Sequence, residues 1–177
     1  MVRLLSMSAL ILVNYVLQTT LLPELAILGA MPDTALIFIV SYGILRGDVE
    51  GAIFGLCAGL VQDIFGGTAI GLFALLGFLS GFMAGKPFRD FFKDNHFLPF
   101  FIVVGISLVY QFLLYFFTML FAGQLDFFHY FYTFILPTVI YTASLSIPLY
   151  ALMHVINAGL ERYEHNRRKF FGEKGED

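Results

Sequence analysis

The chain has 177 residues, 59% of them hydrophobic and 13% charged, with a mean hydropathy of +0.83. Globular chains carry about 25% charged residues, so this composition excludes a soluble domain. The net charge of −3 says little by itself, because what matters in such a chain is where the charges sit.

Six apolar stretches follow one another, at about 4–22, 32–46, 49–64, 69–85, 97–122 and 133–157. They are continuous runs without period-2 alternation, so they predict helices rather than a β-barrel, the two structures a bilayer tolerates. The first run follows Met1-Val2-Arg3, exceeds a usual signal-peptide core and lacks an A-x-A-like site after it, so it reads as a retained helix. Asn14 and Gln18, four apart on this helix, share one face. The second stretch opens on Pro32-Asp33, ordinary chemistry for a helix start.

Arg46-Gly47-Asp48-Val49-Glu50 joins the second and third stretches. A cation at one helix C-terminus and two acids at the next N-terminus each suit the local dipole, and predict a tight helical hairpin. The third stretch, at about 16 residues and 24 Å, is short for a core of roughly 30 Å, so it must lie inside a bundle or where the bilayer is thinned. Glycine recurs every fourth residue at Gly47, Gly51, Gly55 and Gly59, and again at Gly77, Gly81 and Gly85 on the fourth stretch. Such faces let backbones approach closely, and mutual packing of the two helices is the expected use. Admission of a lipid tail or substrate into the groove is the alternative. Ala58 is expected on the opposite, more tolerant face.

Gln62-Asp63-Ile64-Phe65-Gly66-Gly67-Thr68 follows. Asp63 opposes the dipole at a helix C-terminus, and an acid within a membrane is a functional candidate. Its structural reading is acceptance of backbone N–H groups from the Gly66-Gly67 turn, a role in which Asn is expected to serve nearly as well as Asp. Proton or ion handling is the competing reading. Thr68 suits the N-cap of the fourth helix. Asn14, Gln18, Asp33, Asp63 and Gln111 are candidates for a polar cluster in one half of the bundle, either bonding helices together or lining a pocket. In the last stretch the internal Pro148 frees the carbonyl of Ser144, with Thr142, Ser144 and Ser146 nearby to satisfy backbone groups.

All ten Lys and Arg residues fall on one side when the six stretches are threaded as spans. Arg3, Arg46, the group Lys86, Arg89 and Lys93, and the tail group Arg162, Arg167, Arg168, Lys169 and Lys174 share that side. The intervening segments 23–31, 65–68 and 123–132 carry none. The positive-inside rule then places both termini in the cytoplasm. Aromatic residues crowd the span ends, as at Phe127-Phe128-His129-Tyr130-Phe131-Tyr132, and read as interfacial anchors. The expected fold class is an all-α polytopic membrane protein: a compact six-helix bundle over 1–157 with a short cytoplasmic tail over 158–177. The mixed-charge tail is expected to extend the last helix onto the surface, against anionic headgroups or a cytoplasmic protein.

Nothing in the sequence reads as catalysis. His96, His129, His154 and His165 are scattered, and there is no H-E-x-x-H pair, G-x-S-x-G elbow or Walker loop. The single Cys57 excludes an intrachain disulfide or a Cys-based metal site. No cofactor, metal or nucleic-acid partner is expected.

The ordered series Pro32-Asp33, Arg46-Gly47, Gly51, Gly55, Gly59-Leu60, Gln62-Asp63-Ile64-Phe65-Gly66-Gly67 and Gly71 resembles the MreD family of bacterial rod-shape-determining proteins. The C-terminal half carries little of this signature. The resemblance implies an inner-membrane scaffold of the machinery that builds lateral cell-wall peptidoglycan. It implies pairing with MreC, a single-pass membrane protein, and through the complex with the filament protein MreB, with RodA and with a class B penicillin-binding protein. It also implies an architecture similar to the S components of energy-coupling-factor transporters, so a small-solute-binding subunit is the alternative function. The family assigns no catalytic residue.

Overall fold

The computed structural model describes residues 2–21, 24, 31–66, 71–85, 98–122 and 127–172. Among them there is no strand. Helix α1 (Val2–Val16) runs into a π turn (Leu17–Leu21), followed by α2 (Thr34–Arg46), α3 (Asp48–Gly66), α4 (Leu72–Gly85) and α5 (Leu98–Ala122). A short α6 (Phe127–Tyr130) and a second π turn (Phe131–Ile135) lead into α7 (Leu136–Gly172). Asp48–Gly66, Pro99–Thr118 and Phe131–Leu160 are long and apolar enough to cross a membrane, while Thr34–Arg46 and Leu72–Gly85 are shorter apolar helices. The chain is a helical membrane protein.

The short α2 is the centre of the bundle, with every residue from Thr34 to Ile44 buried. A helix apolar on all sides suits either a protein core or lipid, and here protein surrounds it. One face, with Leu36, Ile37, Val40 and Ile44, packs on Leu76 and Ala84 of α4 and Val103, Ile106 and Tyr110 of α5. The other, with Phe38, Ile39 and Tyr42, packs on Ile11 of α1, Phe54 and Ala58 of α3 and Met153 of α7. Tyr42 and Phe54 stack with ring centroids 4.6 Å apart. Asp33 caps the helix by accepting the Leu36 N–H at 3.0 Å, so Pro32 precedes the cap rather than opening the first turn. Gly47 ends it at φ 104°, a conformation costly for any residue with a Cβ.

Two hydrogen bonds fix α2 beside α7. The Asp33 N–H donates to Thr142 Oγ1 at 3.0 Å, and Arg46 Nε donates to Asn157 Oδ1. The paired residues span about 20 Å on α2 and about 22 Å on α7 at 1.5 Å per residue, so the helices run parallel and in step.

The glycine faces of α3 and α4 meet each other directly. A Cβ on Gly55 would collide with the Gly77 carbonyl, and one on Gly81 with the Gly51 carbonyl. Gly51 also abuts α2, where its Cβ would lie 2.5 Å from Gly43 Cα. Gly59 lies against the backbone of Phe73 and Ala74, and Gly85 against Asp48. Close backbone approach maximises dispersion contact where lipid offers no hydrophobic drive for association.

Several boundaries differ from the sequence reading. Helix α3 has 19 residues rather than about 16, because Asp48 and Gly66 extend it at both ends. Helix α4 starts at Leu72 rather than 69. Helix α7 passes through Pro148 unbroken and, in line with the expected helical continuation into the tail, extends past 157 to Gly172. The serines near Pro148 do not serve its gap: Ser144 Oγ donates to the Ile140 carbonyl and Ser146 Oγ to that of Ala143. Ala58 is 4% exposed within the core, so the tolerant face of α3 is instead the one with Ile53, Leu56 and Leu60.

Candidate functional site

The polar residues gather where α3 ends and α4 begins. Asp63 sits on the glycine face of α3, one turn beyond Gly59, and this places its carboxylate over the first turn of α4. Oδ1 accepts the Phe73 N–H at 3.1 Å and Oδ2 the Ala74 N–H at 2.9 Å. A helix start leaves its first N–H groups without intrahelical partners, and its dipole favours a negative charge there. Asp63 is therefore the N-terminal cap of α4, supplied from the preceding helix, and is only 4% exposed.

This corrects two expectations. Among the described residues the donors to Asp63 are in α4, where the glycine contact presses the two helices together. Because both carboxylate oxygens are engaged, Asn is not an equivalent: its amide NH2 would face one of the two N–H groups. The proposed cap Thr68, like Gly67, lies outside the described residues. Gly71, at φ 94°, immediately precedes the capped helix.

Beside the cap, Gln62 Nε2 donates to Gln18 Oε1 at 3.0 Å, tying α3 to the π turn after α1. Tyr15 and Phe65 pack with ring centroids 5.1 Å apart. Together with Thr19, Gly66 and Phe73 these residues line a cavity of about 230 Å³. That is below the roughly 300–1,000 Å³ common for small-molecule sites. Tyr110, buried on α5, lies within electrostatic reach of both Asp33 and Asp63. Asn14 is buried one turn before Gln18, and Gln111 is half-buried on α5.

Of the expected polar cluster, Asp33, Asp63 and Gln18 fall into separate helix-joining contacts, while the buried Asn14 Oδ1 has no hydrogen-bond partner among the described residues. Asp33 joins α2 to α7, Asp63 joins α3 to α4, and the Gln18–Gln62 pair joins α1 to α3. Arg46 closes the opposite end against α7, where Gly47 and Gly51 continue the turn through the Gly51 N–H to Gly47 carbonyl bond at 2.9 Å. Sequence reasoning missed Asn157 altogether. Thr142 had drawn notice only for its nearness to Pro148. Nothing local marks either residue, since each matters through a partner more than 100 positions away.

Among the described residues no group of three or more His, Cys, Asp or Glu side chains is placed to hold a metal ion. No curated protein and no solved structure matches the chain. The family model of rod shape-determining protein MreD matches residues 1–156, nearly the whole helical bundle, and the chain belongs to that family of shape-determining membrane proteins.

Proposed function

We propose that this protein is a non-enzymatic scaffold of the cell-elongation complex, spanning the membrane six times with both termini in the cytoplasm. In this reading it binds MreC, and through the complex it couples MreB to the peptidoglycan synthase formed by RodA and a class B penicillin-binding protein. The family match carries the reading. The packing is consistent with it: the side chains of Thr142, Gln18, Gln62 and Asp63 bond one helical segment to another, as suits a rigid element that presents a surface. The one-sided placement of Lys and Arg supports the topology.

The test is affinity purification of the full-length protein from native membranes, with identification of everything retained. Stoichiometric recovery of a single-pass membrane protein is the expected result. The cavity at Gln18 and Gln62 favours a second reading, a solute-binding subunit resembling a vitamin-transporter S component. A small molecule retained through purification, with no protein partner, would replace the first reading with the second.

A further inference from the structure

The cavity beside the Asp63 cap has a lining that selects among ligands. Its floor is half-buried, with Tyr15 from α1, Gln18 from the π turn after it, Gln62 from α3 and Phe73 from α4. Thr19 and Phe65 stand exposed at its rim, so the cavity opens to the surface. None of the described lining residues is charged, and the neighbouring Asp63 commits both oxygens to the Phe73 and Ala74 N–H groups. An ion entering here would lose water and gain no counter-charge.

Two polar functions remain open. Gln62 Nε2 donates to Gln18 Oε1, one bond between two carboxamides that can each make several. The Gln18 NH2 and the Gln62 carbonyl have no hydrogen-bond partner among the described residues. Each shares its amide with one of the bonded atoms, so the open donor and the open acceptor are neighbours. Turns of the π type concentrate at functional sites, and this one satisfies itself without Gln18, because the Thr19 hydroxyl donates to the Tyr15 carbonyl at 2.9 Å. Tyr15, Phe65 and Phe73 supply aromatic walls. A dry cavity of about 150 Å³ already accepts benzene, so the 230 Å³ here holds one ring with a small substituent.

We propose that this cavity binds a neutral solute of single-ring size bearing a carboxamide-like group. The solute carbonyl accepts from the Gln18 NH2, its N–H donates to the Gln62 carbonyl, and its ring packs among the aromatic walls. The proposal deepens the solute-binding reading of this cavity and rests on it. The scaffold reading is judged separately, by the protein partner recovered.

The test uses full-length protein in phospholipid nanodiscs with a 13C-labelled Thr19 methyl as local reporter and Thr118 as a remote control. Benzamide is the probe. Its near-isosteres are benzoate and benzylammonium, which are charged, and acetophenone, which is neutral but cannot donate. Benzamide should shift the Thr19 methyl at about tenfold lower concentration than the other three, because a site built to bond a group rejects analogues lacking it. Gln62→Met should bring benzamide down to the level of acetophenone and leave acetophenone unchanged. Phe65→Ala, at an exposed rim position, should weaken all four probes several-fold. Equal response to all four would show unselective partitioning from lipid and overturn the proposal. Preference for a charged probe would overturn the ligand class while keeping a solute site. Absence of any Thr19 shift would overturn both the proposal and the solute-binding reading. Loss of acetophenone binding in Gln62→Met would reduce Gln62 to a tie between helices, and that too would overturn the proposal.

Discussion

Replacement of Asp63 tests the cap that joins the two glycine-faced helices. Asp63→Ala strands the Phe73 and Ala74 N–H groups in a buried site, and Asp63→Asn strands one of them while placing an amide NH2 against it. Each buried unsatisfied donor costs about 1–3 kcal/mol, so Ala, which strands two, should cost about 2–6 kcal/mol and Asn about 1–3 kcal/mol. Hydrogen bonds in membrane bundles often return less, about 0.6 kcal/mol on average, which sets the floor for each lost bond. The assay is reversible unfolding of the purified protein in bicelles, with exchange of the Phe73 and Ala74 amides followed alongside. Wild type, then Asn, then Ala is the expected order of stability, with the loss of amide protection starting at those two residues. A result with Asn as stable as wild type would refute the two-bond cap. Asn and Ala both fully stable yet inactive in maintaining rod shape would move Asp63 from structure to proton handling.

The glycine contacts predict that even Gly55→Ala destabilises, by about 1–3 kcal/mol from overpacking against Gly77, and that Gly55→Leu prevents accumulation. Gly105→Ala, where an added Cβ meets nothing within 4 Å, is the matched control and should accumulate normally. Thr142→Val removes the acceptor for the Asp33 N–H and should cost about 1–3 kcal/mol, whereas Thr142→Ser should largely restore stability. For topology, single cysteines at Glu24 and Gly123 in a Cys57→Ser background should react with impermeant thiol reagents on intact cells. One at Asp90 should not, and its labelling would overturn the six-span reading.

Much of this protein was legible in the sequence because a bilayer narrows the choices. Continuous apolar runs had to become helices, since no water is present to satisfy an open backbone. The hairpin at Arg46-Gly47-Asp48 was readable because dipole, cap and a left-handed glycine are local properties. The four-residue glycine spacing announced close packing, and α4 proved to be the partner it implied. Tertiary structure alone decided the rest. Composition did not mark α2 as the central helix, because α2, α4 and α5 are all strongly apolar and only their arrangement buries one of them completely. Ala58 was misplaced for the same reason, since spacing defines faces of a helix but not how many neighbours cover them. Asp63 could be recognised as a carboxylate in need of donors. Which N–H groups it receives depended on how closely Gly59 lets α4 approach, and that distance is set by two helices packing together rather than by any one segment.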